Sequence, residues 1–113
     1  MTNLGGNALT FFDHTMFENN CKLTSVNLAH GLVPPVISAS LFYNNPKLKI
    51  ADFSSLNSRI PSQLFLTTNA LEWISLRGNE IPVLTTLIAK HKRRLRFLDI
   101  SNCEIRAVLG NDN

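Results

Sequence analysis

The sequence predicts a single α/β-type repeat solenoid, in which each repeat adds one short parallel β-strand and returns through an irregular or short helical turn. Two observations indicate this fold: an apolar spacing that recurs along the chain, and a phenylalanine that recurs in step with it. The composition supports a folded domain, because 44% of the 113 residues are hydrophobic. Only 17% are charged, compared with about 25% in an average soluble domain.

The recurring apolar spacing is LxxLxLxx(N/C)xL, which begins at Leu71 and again at Leu95. Weaker matches begin at Leu23 and Leu48, so successive starts are 25, 23 and 24 residues apart. The last two apolar positions of LxxLxL are two residues apart, which is the spacing that points two side chains to one face of a strand. We therefore expect parallel strands near residues 25–29, 50–54, 73–77 and 97–101. Their expected buried residues are Leu28, Phe53, Leu76 and Ile100.

These starts divide the chain into one array spanning residues 1–113. It consists of a partial repeat 1–22, the repeats 23–47, 48–70 and 71–94, and a partial repeat 95–113. Phe17, Phe42 and Phe65 each lie six residues before a start, so a second periodic signal supports the same boundaries. Because the array opens and closes inside a repeat, we expect a fragment of a longer protein that self-associates through uncapped ends.

This spacing resembles the leucine-rich repeat family. The segment Ile60-Pro61-Ser62-Gln63-Leu64-Phe65 resembles the variable half of the extracellular type found in Toll-like receptor ectodomains. The resemblance implies a horseshoe with the parallel sheet on its concave face. It also implies a structural ladder at the Asn position of the repeat, where a side chain or a flexible glycine serves the bend after the strand. That ladder comprises Asn7, Gly31, Asn79 and Cys103.

The residues between the buried positions are the ones that a solenoid displays on its sheet. Trp73 and Phe97 occupy equivalent positions in adjacent strands and predict an exposed aromatic step, and aromatic residues and arginine commonly anchor interfaces. Asp99 is expected to be an exposed position whose replacement costs little stability. The alternative is that both rings pack against the solenoid edge and that the polar row is only a solvated face. The candidate ligand contacts are Asn27, Ile50, Asp52, Trp73, Ser75, Arg77, Phe97 and Asp99.

No enzymatic or metal-binding pattern is found in the sequence. The three histidines, His14, His30 and His91, fall at non-equivalent positions of different repeats, and no phosphate-binding loop, nucleophile elbow or HExxH motif occurs. Cys21 and Cys103 belong to turns separated by about 14 Å of stacking, beyond the roughly 7 Å limit for a disulfide. We therefore expect no catalytic residue, metal, cofactor or internal disulfide.

The formal net charge of +3 arises from one cluster, Lys90, Lys92, Arg93, Arg94 and Arg96. The remaining chain is slightly acidic, so we expect no nucleic-acid partner. No apolar run approaches the roughly 18 residues of a membrane span. The leading hypothesis is a receptor-like signalling fragment, extracellular or at the cell surface, that binds a protein or glycan on its concave face. The alternative is an intracellular leucine-rich repeat scaffold or adaptor whose basic cluster contacts an acidic partner.

Overall fold

The computed structural model describes residues 2–3, 11–31, 33–87 and 93–106, which form a parallel β-solenoid of about 4 turns. The ladder residue Asn7 and the cluster residues Lys90 and Lys92 lie outside the described residues. In chain order the strands are β1 (Thr2–Asn3), β2 (Phe11–Phe12), β3 (Ser25–Asn27), β4 (Val36–Ile37), β5 (Ile50–Asp52), β6 (Trp73–Ser75), β7 (Glu80–Ile81), β8 (Phe97–Asp99) and β9 (Glu104–Ile105).

The main sheet has five parallel strands in the order β1-β3-β5-β6-β8. Its register aligns Val26, Ala51, Ile74 and Leu98, which all hold the same position of the sequence repeat. Successive turns therefore stack one strand on the next without any shift. The predicted parallel strands and their register are confirmed.

The core lies directly beneath this sheet. Three of the predicted core residues, Leu28, Phe53 and Leu76, are at most 1% exposed and are confirmed as buried. Ile100 is only half-buried and differs from the prediction. The reason is its position in the last described turn, where no described turn stacks on its outer side. Each turn thus depends on both of its neighbours to exclude water from its apolar residues.

A stack of phenylalanine rings fills part of the core. Phe17 and Phe42 stack with ring centroids 6.1 Å apart, and Phe42 and Phe65 repeat the same 6.1 Å spacing. Phe53 meets the ring of Phe42 edge-on at 5.8 Å. Such aromatic pairs add about 0.5–1.5 kcal/mol beyond their buried area. The second periodic signal of the sequence therefore corresponds to a physical stack.

A second row of strand pairs follows the bends, and the sequence reasoning missed it. Strand β2 pairs with β4, β7 pairs with β9, and Arg59 forms a bridge to Glu80 between them. The spacing LxxLxLxx(N/C)xL, begun at Leu23 and Leu48, assigns its last apolar position to Val33 and Ser58, and this position falls in the second row of strand pairs. That assignment is wrong: Ile37 and Ile60 are buried there, whereas Val33 is 44% exposed. The bends of these two repeats are longer than a fixed spacing allows.

The return path of each turn is built from turns and bends. In the described part of the chain, the helices are α1 (Leu84–Leu87) and the 3₁₀ turn His14–Met16. The expected α/β character is therefore not confirmed. Neither helix has the length or the apolar composition to cross a bilayer.

Replacing Leu76 with alanine should lower the free energy of unfolding by about 2–5 kcal/mol, because the neighbouring turns cannot close the cavity. Leu66 provides a matched control, since its side chain is 65% exposed, and Leu66→Ala should change stability by less than about 0.5 kcal/mol. Chemical denaturation followed by circular dichroism measures both. Equal losses for the two variants would contradict the proposed core.

Candidate binding face

The outward side chains of the main sheet form two parallel rows. One row runs through Ile50, Trp73 and Phe97, which are paired across β5, β6 and β8. The second row consists of Asn27, Asp52, Ser75 and Asp99. Arg77 lies just beyond the end of β6 and is exposed. The register thus brings all the sequence-predicted contact positions to one side of the solenoid.

The two aromatic residues of the first row stack on each other. The ring centroids of Trp73 and Phe97 are 4.9 Å apart and the planes differ by 10°. This distance matches the roughly 4.8 Å between adjacent strands, so the rings stack along the solenoid axis. Phe97 is 42% exposed and Ile50 is 39% exposed, while Trp73 is half-buried. The row is therefore an apolar step open to solvent.

A groove of about 400 Å³ runs beside this step. Seven residues line it: Asn27, Ile50, Asp52, Glu72, Trp73, Arg96 and Phe97.

Glu72 and Arg96 are groove residues that the sequence reasoning did not select. Each immediately precedes a strand, and the Arg96 amide donates to the Glu72 carbonyl at 2.8 Å, which places the two residues in adjacent turns. The alternation of side chains along a strand assigns these positions to the inner face. They escape that rule because they lie outside the strands. The sequence signal that could have identified Glu72 and Arg96 is their charge, because each stands between two apolar residues.

The second row has a structural task at the carboxyl ends of the strands. The Asn27 Oδ1 accepts a hydrogen bond from the Ala29 amide at 3.0 Å, and Asp52 Oδ1 accepts from the Ser54 amide at 2.9 Å. Asp99 Oδ1 accepts from the Ser101 amide at 2.9 Å and from its hydroxyl at 2.6 Å. These are Asx turns, which start the bend after the strand. Asp99 therefore has a role in the bend that was not anticipated from the sequence.

Each bend then contains a residue in the left-handed backbone region, three positions after the second row. The φ angles are 59° at His30, 60° at Ser55, 76° at Gly78 and 55° at Asn102. A Cβ at Gly78 would lie 3.2 Å from the Ser55 Cα, so the close stacking of turns adds to the preference for glycine there. The sharp reversal of the chain thus occurs at the equivalent position of four turns.

Ser75 departs from the predicted set of ligand contacts. Its side chain is only 3% exposed, and its hydroxyl oxygen lies 2.6 Å from that of Ser54 in the preceding turn. The Ser54 hydroxyl also donates to Asp52 Oδ1. The Ser75 hydroxyl is therefore occupied within the sheet and does not reach the groove.

Asn79 and Cys103, two of the residues at the Asn position of the repeat, form hydrogen bonds to backbone carbonyls. Asn79 Nδ2 donates to the carbonyls of Phe53 at 2.7 Å and Leu76 at 3.0 Å, and Cys103 Sγ donates to the Leu76 carbonyl at 2.9 Å. The flexibility expected of Gly31 is not used, because the left-handed residue of that bend is the preceding His30. Both cysteines are free.

The described part of the basic cluster lies beside the groove. Arg93 and Arg94 are exposed and line a pocket with Glu72 and Arg96, while Lys90 and Lys92 lie outside the described residues. Within residues 11–31, 33–87 and 93–106, no three His, Cys, Asp or Glu side chains come together as a metal site would require.

Comparison with protein-family models gave no match to this sequence, and comparison with curated proteins gave none either. A function must therefore be argued from the repeat geometry and from the chemistry of the binding face.

The Asx turn at Asp99 predicts a pH dependence of stability. The hydrogen bonds from the Ser101 hydroxyl and amide, with the nearby Arg77 charge, hold the pKa of Asp99 below its ordinary value of 3.8. A carboxyl group whose pKa falls on folding stabilises the protein above its unfolded-state pKa, and this contribution is lost as pH falls through the folded-state pKa.

Asp99→Asn should therefore lower stability at neutral pH, and its difference from the wild type should shrink below about pH 4. Denaturant titrations of both proteins across the acidic range measure this difference. A difference that stays constant with pH would contradict the charge-assisted turn.

Proposed function

We propose that this chain is a segment of a leucine-rich repeat array and that it binds a protein ligand on the outward face of its main sheet. The observation that carries the proposal is the Trp73–Phe97 stack, with centroids 4.9 Å apart on an open face beside a groove. Exposed aromatic surface costs solubility, and tryptophan in a pocket is the side chain most enriched at the energetic centres of interfaces.

Three features support the leucine-rich repeat assignment. Each repeat contributes one parallel strand at a spacing of 23 to 25 residues. Asn79 and Cys103 hydrogen-bond to carbonyls of the turn before them, which is the task of the Asn position in that family. The buried phenylalanines recur in the variable half of the repeats.

A comparison of two stacking distances supports a horseshoe with the sheet on its concave side. On the sheet face the Trp73 and Phe97 centroids are 4.9 Å apart, whereas the Phe42 and Phe65 centroids in the core are 6.1 Å apart. Turns that are closer on one side than on the other form an arc, with the closer side inward. The binding face would then be the concave surface of that arc.

The similarity of the Ile60–Phe65 segment to extracellular repeats favours a receptor-like protein at the cell surface. The groove is lined by apolar, acidic and basic residues together, and this mixed lining suits a protein partner that offers both apolar and charged side chains.

The double variant Trp73→Ala/Phe97→Ala tests the proposal. Peptides selected from a random phage library on the immobilised wild-type chain should bind this variant at least about tenfold more weakly, because the aromatic anchor carries much of the binding energy. The matched control is Tyr43→Ala/Leu66→Ala, which removes two side chains that are 70% and 65% exposed outside the groove. It should leave binding unchanged.

Equal binding of the selected peptides to both double variants would refute the assignment of the face. The single variant Phe97→Ala provides the same comparison with a smaller change to the sheet, and circular dichroism of each variant verifies the fold. If peptides fail to bind but a glycan array gives Trp73-dependent binding, the ligand class is a glycan and the protein-ligand proposal is wrong.

A further inference from the structure

One face of the Trp73 ring remains available after the stack has formed. Phe97 covers the other face, since the two ring planes differ by only 10°. The available face points along the solenoid axis toward Ile50, which is the register neighbour of Trp73 on its other side. Ile50 is 39% exposed and also lines the groove. The indole ring of Trp73 and the aliphatic side chain of Ile50 are therefore neighbours within the groove.

Two carboxylate side chains, those of Asp52 and Glu72, line the groove together with Trp73. Asp52 lies two residues after Ile50 along β5, and Glu72 lies one residue before Trp73, so they sit on opposite sides of the apolar row. The hydrogen bonds of Asp52 to Ser54 both use Oδ1. Among the residues that the structure describes, neither carboxylate forms an ion pair. Asp52 is thus left for an external partner, whereas Glu72 also lines a neighbouring pocket with Arg93, Arg94 and Arg96.

Asn27 and Arg96 are the other two polar residues of the groove. Asn27 uses its Oδ1 for the Ala29 amide, which leaves the Nδ2 group as a donor at the edge of the groove. Of the three arginines that share a pocket with Glu72, Arg96 also lines the groove, and it adjoins the strand of Phe97, one turn away from the available face of Trp73. On the Ile50 side of Trp73 the charged groove residue is Asp52. Charge complementarity at the notch between Ile50 and Trp73 therefore favours a cation.

We propose that this notch receives a cationic side chain of the protein partner, an arginine in preference to a lysine. The apolar stem would lie over Ile50, and the planar guanidinium would stack on the available face of Trp73 between Asp52 and Glu72. Cation–π attraction is strongest on tryptophan, and guanidinium groups both stack on rings and pair with carboxylates. This inference rests on the proposed function, since it specifies what the same face recognises.

Tryptophan fluorescence reflects this notch specifically, because Trp73 is the only tryptophan of the protein. The probes are N-acetyl-arginine amide, its neutral isostere N-acetyl-citrulline amide, and N-acetyl-glutamate amide, each titrated into the full chain at constant ionic strength. Tryptophan fluorescence follows binding. The arginine compound should bind about five- to tenfold more tightly than the citrulline compound, because only the former supplies the cation. The glutamate compound should bind most weakly.

Two conservative variants test how much each carboxylate charge contributes to the preference for arginine. Asp52→Asn keeps an oxygen for the Ser54 hydrogen bonds and removes the charge, and Glu72→Gln removes the second charge. Each should reduce the preference for arginine over citrulline by about two- to fivefold. Glu18→Gln is the matched control, since Glu18 is an exposed carboxylate outside the groove, and it should leave the preference unchanged.

Equal binding of the arginine and citrulline compounds, or no binding of either up to their solubility limits, would overturn the cation site. An unchanged preference in both Asp52→Asn and Glu72→Gln would also overturn it. If the phage-selected peptides still require Trp73 and Phe97, only this inference fails and the proposed function stands. If those peptides also ignore the aromatic stack, the proposed function fails with it.

Discussion

The stacking of one turn on the next in strict register is the constraint on which the rest of the structure depends. A single turn cannot bury both sides of its apolar residues, so its stability comes from the turns above and below. The contrast between Leu76 and Ile100 shows this dependence: both hold the same position of the repeat, yet Leu76 is fully buried and Ile100 is half-buried. Register errors would break the backbone pairing, the phenylalanine stack and the Asn79 hydrogen bonds together.

The same register determines what the surface can display. Because equivalent residues of adjacent turns meet at strand distance, any two aromatic side chains at one outward position must stack, as Trp73 and Phe97 do. A row of single residues, each drawn from a different repeat, therefore becomes a continuous surface. A change of sequence in the row of Ile50, Trp73 and Phe97 alters that surface without removing a hydrogen bond that holds a bend, unlike a change at Asn27, Asp52 or Asp99.

The sequence predicted the parts of the fold that obey a fixed period, and it failed where the spacing varies. The strands, the buried Leu28, Phe53 and Leu76, and the Phe17–Phe42–Phe65 stack all follow the repeat. The second row of strand pairs did not emerge because its residues, such as Ile37 and Ile60, follow bends of different lengths. At the candidate face, the proximity of Trp73 and Phe97 could be predicted because equivalent repeat positions are adjacent. The burial of Ser75 and the place of Glu72 in the groove could not be predicted, because they depend on local contacts that the alternation of side chains does not encode.

Asp52 joins a structural role and a proposed binding role in one side chain. Its Oδ1 holds the bend after β5 through Ser54, and the Ser54 hydroxyl in turn occupies Ser75 in the next turn. The remaining carboxylate oxygen carries no described hydrogen bond. The bend thus fixes the carboxylate at the groove before any partner arrives, so little side-chain entropy is lost on binding. A charge positioned by the fold itself favours recognition of one partner group over a general attraction for cations.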